Sequence, residues 1–136
     1  MYELFEHTAD LGLRVRAPDL ETLFREAAEA FFGLIVEELP AVESGREFSF
    51  RLDAERHDDL FFDWLNELLY TFDATRCLLG RFEVAIDGWR LEASARGVPL
   101  DLSAHRVLRE VKAITYHGLK VEPADDGWIA EVIVDI

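Results

Sequence analysis

The chain has 136 residues, half of them apolar and 12% aromatic, enough for one domain with a substantial core, which excludes a disordered chain. Its 14 Lys and Arg stand against 28 Asp and Glu, a formal charge of −14, so neither an exposed basic stripe gripping nucleic acid nor attachment to an anionic membrane is expected. A single cysteine, Cys77, excludes an internal disulfide and a cysteine-rich zinc site.

Tyr2 to His7 reads as a strand. Gly12 to Ala17 reads as a second, because Leu13, Val15 and Ala17 alternate with Arg14 and Arg16. Asp19 is placed to cap a helix reaching about Phe32, with Gly33 as the expected stop. On it Leu20, Leu23, Phe24, Ala27, Ala28 and Phe31 share one face at ~100° per residue. Arg46 to Asp53 alternates again and is a third strand.

Asp58 and Asp59, acids at the positive end of a helix dipole, open a second helix that runs to about Phe72. Its apolar residues sweep from Leu60 through Trp64, Leu68, Phe61, Phe72, Leu65 and Leu69 to Phe62. That arc is about 200° wide, roughly twice the usual stripe of a surface helix. One packing layer cannot cover it, so cover from two sides is expected.

Leu79 to Asp87 and Arg90 to Gly97 flank a turn at Gly88, and Val111 to Val121 reads as one long strand. Asp125-Asp126-Gly127 is a hairpin signal, followed by Trp128 to Val134 with Trp128, Ala130, Val132 and Val134 on one face. The expected class is α+β. One domain spans residues 1–136, with two main helices packed between two mainly antiparallel or mixed sheets of about seven strands. No run of ~18 apolar residues exists, and the first residues carry acids where a signal peptide needs a basic region. A cytoplasmic protein without a membrane span is expected.

The chain has no glycine-rich phosphate loop, nucleophile elbow or paired-histidine zinc motif. His57-Asp58 reads as a helix start rather than a metal dyad, and Cys77 as a small buried hydrophobe. Two acidic segments stand out. One is the polar break His7-Thr8-Ala9-Asp10-Leu11-Gly12; the other is Val134-Asp135-Ile136, where the α-carboxylate of Ile136 follows Asp135. If Asp10 lies at the same sheet end, three anionic groups converge, and a divalent cation would resolve their repulsion. Oxygen ligands of this kind suit calcium, magnesium or manganese rather than zinc. The other reading is that Asp10 caps a turn and Asp135 is solvated. His117, in Thr115-Tyr116-His117-Gly118, is either a structural histidine or one that faces a ligand or partner.

Four segments together resemble the archease family. They are His7-Thr8-Ala9-Asp10-Leu11-Gly12, Trp64-Leu65-Asn66-Glu67-Leu68-Leu69-Tyr70, Val111 through Leu119 with Thr115-Tyr116-His117-Gly118 inside it, and Gly127-Trp128 through Asp135-Ile136. They occur in family order over essentially the whole chain. The resemblance implies a small acidic accessory protein, not itself an enzyme, that acts on the tRNA-splicing RNA ligase. There it promotes guanylylation of the ligase histidine from GTP with a divalent metal, and so multiple turnover. It implies a metal site at Asp10, Asp135 and a main-chain oxygen of Ile136, with calcium as the usual ion and magnesium or manganese as alternatives. His7 and His117 would contact the partner, or a ligand through an intervening group. It also implies helices between two sheets. Two other classes stay open: a stand-alone divalent-metal-dependent phosphoesterase using Asp10, Asp135 and His117, and a chaperone-like protein-binding module. No lysine or arginine lies within either acidic segment to hold a substrate phosphate, which disfavours the first.

Overall fold

The computed structural model describes residues 1–7 and 10–136, and their side chains except at residues 6 and 7. In chain order the elements are β1 (Tyr2–His7), β2 (Asp10–Ala17), α1 (Leu20–Ile35), β3 (Arg46–Asp53), α2 (His57–Thr75), β4 (Cys77–Asp87), β5 (Arg90–Pro99), β6 (Ala113–Ala124) and β7 (Gly127–Asp135). All strand pairs are antiparallel. They form a four-stranded sheet of order β1-β2-β7-β6 and a three-stranded sheet of order β3-β5-β4, with both helices packed between them. The α+β class and the two-sheet arrangement are those expected.

The wide apolar arc of α2 explains the layering. Leu60, Phe61, Trp64, Leu65, Leu68, Leu69 and Phe72 are all buried, against β6 on one side and the three-stranded sheet on the other. Trp64 sits at the centre. Its ring meets Phe50 of β3 edge-on at 5.3 Å, and its Nε1–H donates to the Phe24 carbonyl of α1 at 2.9 Å. The one polar atom of this buried ring is therefore satisfied, and burial of such a side chain is worth about 1.5–3 kcal/mol. Phe24 and Phe61 close the helix–helix contact edge to face at 5.1 Å.

Asp19 caps α1 as expected, its carboxylate accepting from Thr22 N–H at 2.8 Å. The helix does not stop at Gly33, however; it continues to Ile35. Its last carbonyls are taken up by a distant loop. Arg109 donates to Leu34 O at 2.7 Å, Leu108 N–H donates to Ile35 O at 2.7 Å, and Val36 bridges Val107. These partners lie about seventy residues downstream, so a local stop signal was overruled by tertiary contacts.

The hairpins follow their turn residues. Gly88 takes φ +61°, which the first position of a two-residue turn with glycine requires. Asp125 and Asp126 form the β6–β7 turn, and Gly127 opens β7. Cys77 is buried at the start of β4. The long strand expected over 111–121 is a strand over Ala113–Ala124 whose ladder breaks between Thr115 and Lys120, with Gly118 at φ +68°. Among the described residues no helix is long and apolar enough to cross a membrane.

Candidate metal centre

β2 and β7 are the two central strands of the four-stranded sheet, and their register brings distant residues together. Asp10, the first residue of β2, stands directly opposite Asp135, the last of β7. On one side His7 pairs with Asp10; on the other, Ala113 pairs with Asp135. A single row, His7–Asp10–Asp135–Ala113, thus crosses all four strands at one sheet end. Opposed residues of an antiparallel pair project to the same face with Cβ atoms about 5 Å apart. Asp10 shares its face with Gly12 and Arg14, away from the core-facing Leu13 and Val15; Asp135 shares it with Glu131, away from Val132 and Val134. Both aspartates are half-buried.

The row is an exception to the rest of the ladders. Glu3 faces Arg14, Arg14 faces Glu131 and Lys120 faces Glu131. In the other sheet Glu47 faces Arg96, Arg51 faces Glu92, and Asp53 and Asp87 face Arg90. Each of these pairs joins opposite charges. Among the described residues, Asp10–Asp135 is the only directly opposed pair of like charge. Like charges so placed destabilise a sheet.

The surroundings add to that cost. Phe5 of β1 lies over Gly12, two residues from Asp10, so closely that a Cβ at Gly12 would run into the ring. Ile133, opposite Gly12, is buried on the same face. The acids therefore border an apolar floor. Arg14 lies over the other side of that floor, its guanidinium 4.7 Å from the Phe5 ring centre. It is committed elsewhere, donating to Glu131 at 3.3 Å and to Glu3 at 3.4 Å. Hydrogen bonds from Arg16 and then Arg14 hold the Glu3 carboxyl below its usual range.

Ile136 is half-buried and packs its side chain against the core, so its main-chain oxygens are the polar groups it offers beside Asp135. Among the described residues no three His, Cys, Asp or Glu side chains converge into a metal-ligating group. The register sets two aspartates opposite each other, and further ligands would have to be main-chain oxygen, as at Ile136, or solvent. An all-oxygen donor set with two adjacent carboxylates fits a hard divalent cation and not zinc.

Of the sequence candidates, Asp10, Asp135 and Ile136 are thus brought to one corner. His7 reaches it through its backbone pairing, but its side chain, with Thr8 and Ala9, lies outside the described residues. His117 is on the neighbouring edge strand, exposed, in the stretch that leaves the ladder. Its backbone N–H donates to Thr115 Oγ1 at 3.3 Å, and Thr115 Oγ1 donates to Ile133 O at 2.9 Å. Sequence reasoning missed Lys112, whose backbone N–H donates to Asp135 O at 2.7 Å. It also missed the seat of Phe5 on Gly12. The Gly12 signal was present in the motif, but nothing local named its cause.

Two helices held between a four-stranded and a three-stranded antiparallel sheet, with paired acids at one sheet end, define the class: a small two-sheet α+β domain presenting an acidic corner. The family model described as the Archease protein family (MTH1598/TM1083) matches residues 2–136, and the chain belongs to that family. It is similar to protein archease of Methanopyrus kandleri, 40% identical over 139 residues and covering 99% of each chain. It is also similar to protein archease of Pyrococcus abyssi, 38% identical over 140 residues, covering 99% of this chain and 98% of the relative. Among solved structures, the solution structure of Methanobacterium thermoautotrophicum protein 1598 superposes with a TM-score of 0.83 at 31% identity, covering 99% of this chain and 98% of that one. The crystal structure of an archease from Thermotoga maritima, described as a possible chaperone, shares the fold with a TM-score of 0.68 at 24% identity, covering 100% of this chain and 98% of that one.

Proposed function

We propose that this protein is the accessory activator of a tRNA-splicing RNA ligase, and that the Asp10–Asp135 corner is the part that works on the ligase. The observation that carries the reading is the like-charged pair itself. The other charged cross-strand pairs of the described ladders join opposite charges, while this one keeps two carboxylates face to face beside an apolar floor. A fold tolerates such a pair where a cation or a cationic partner completes it.

Asp10, Asp135 and a main-chain oxygen of Ile136 would hold the divalent cation, calcium first, with magnesium or manganese as alternatives. When bound, the ion supplies positive charge that organises phosphate oxygens for phosphoryl transfer. This chain's own contribution is positional. The two aspartates sit on the central strands, where the hydrogen-bonded ladders fix their spacing. The terminal strand position lets the corner project toward a partner's nucleotide pocket. The charge of −14 steers the domain to a protein surface that is positive because it grips RNA, at a rate that falls with salt. The same charge keeps the domain from holding the RNA itself.

The test is guanylylation of the cognate ligase from GTP, followed with and without this protein, together with multiple-turnover joining of RNA ends. The wild-type protein should stimulate both; Asp10→Ala and Asp135→Ala should stimulate neither while still unfolding in one cooperative transition. Full stimulation by both folded variants would remove this mechanism. Hydrolysis of a simple phosphoester by the purified protein, abolished by chelator, would favour the phosphoesterase reading. Suppression of client aggregation that is indifferent to Asp10 would favour the chaperone reading.

A further inference from the structure

Away from the acidic corner, an aromatic pair carries the edge of the core out to the surface. Tyr116 lies in the part of β6 that leaves the ladder, and it is 58% exposed. Its ring stacks on Phe62 of α2, with centroids 3.8 Å apart and planes 19° from parallel. Phe62 is half-buried, at the end of the apolar arc of α2. The stack holds Tyr116 in place before any partner arrives, which lowers the entropy cost of binding to it.

Two acids of α2 flank this pair. Asp59 and Asp63 are four residues apart and so share a helix face, with Phe62 beside it. Their like charges oppose each other: burial and then the charge of Asp59 push the Asp63 carboxyl up. Their charge is felt at the ring: burial, followed by Asp59, Asp63 and Asp58, pushes the Tyr116 hydroxyl up. Asp58 is committed to Arg56 in a two-pronged contact at 2.9 and 3.0 Å. Among the described residues, neither Asp59 nor Asp63 has a salt bridge.

We propose that the Phe62–Tyr116 stack, with Asp59 and Asp63 beside it, is a docking surface for an arginine-bearing face of a partner protein. Charge complementarity selects the occupant. The acids repel phosphate, which excludes nucleic acid and anionic lipid, and they repel a second copy of this acidic chain. A guanidinium suits the site best among cations. It stacks flat on an aromatic face, and its fork of donors meets a carboxylate at the same time. Tyrosine and arginine are also the residues that dominate binding energy at protein interfaces. This surface does not depend on the ligase reading, because it lies on α2 and β6 and uses neither Asp10 nor Asp135.

The test uses the full chain, labelled for NMR, with a capped peptide of alternating arginine and glycine and its lysine counterpart as the two ligands, at 0.15 M salt. The arginine peptide should shift resonances of residues 59–66 and 115–117 first, and should bind more tightly than the lysine peptide. Tyr116→Ala should weaken it at least about fivefold, the loss of one cation–π contact of ~1 kcal/mol. Tyr116→Phe should bind as wild type, and Asp63→Asn should lie between. Shifts spread evenly over the acidic surface, or equal binding by wild type and Tyr116→Ala, would overturn the proposal. Tyr116 is exposed and Asp63→Asn conserves shape, so both variants report binding and not folding.

Discussion

Two rows of one sheet face, four residues apart along β2, obey opposite rules. At Arg14 the sheet sets a cation between Glu3 and Glu131, and Lys120 stands on the far side of Glu131. At Asp10 it sets carboxylate against carboxylate. The first arrangement is what a sheet does for its own stability. The second sets like charges opposite each other, an arrangement that disfavours a sheet, and it is the one for which we propose a cation. Composition could not separate the two, because acids outnumber bases throughout this protein. Only the register does.

The largest expected effect tests the second row. Calcium at a hundred times its dissociation constant should raise unfolding free energy by ~2.7 kcal/mol, read by thermal or urea denaturation. Asp10→Asn or Asp135→Asn should abolish the rise, while Arg14→Ala should keep it. Next comes the first row. Arg14→Ala removes the shared partner of Glu3 and Glu131 and should lower stability in any buffer, by less than the calcium effect.

The sharpest contrast is one of sign. In chelator, Asp10→Asn should stabilise the protein by ~0.5 kcal/mol, because it removes one of two opposed like charges. Destabilisation there would break the comparison. Smaller still, Arg51→Ala on the other sheet, where Arg51 meets Glu92 in an exposed pair, should cost less than ~0.5 kcal/mol. The smallest effect is a slope. The arginines depress the Glu3 carboxyl, so its contribution is present above the ordinary carboxylate range and fades as pH falls through the folded-state value. Glu3→Gln should flatten that acid limb of the stability curve.

The sequence made the elements legible wherever the pattern is local. The alternation at residues 13–17 and 128–134 named the core faces of β2 and β7, and the angular spread of α2 implied two covering layers. What failed was decided at long range. α1 passes Gly33 because loop 106–109 takes its carbonyls, and β6 breaks after Thr115 although its residues alternate acceptably. The Asp10–Asp135 corner was legible only in part. A period of two says which face a residue takes, not which residue it meets, so adjacency of Asp10 and Asp135 came from family resemblance and not from spacing. Nothing in the local pattern announced that Phe5 would need a glycine beneath it.

The seat of the corner on two central strands has a temporal consequence. Residues 10 and 135 meet only where the β6–β7 hairpin pairs with β2 along its β7 edge, a contact that joins the two ends of the chain. An intermediate in which β1 and β2 have formed a hairpin carries one aspartate and no partner for it. The paired corner therefore exists only in the completed four-stranded sheet. A ligand that recognises it selects finished molecules and ignores unfinished ones.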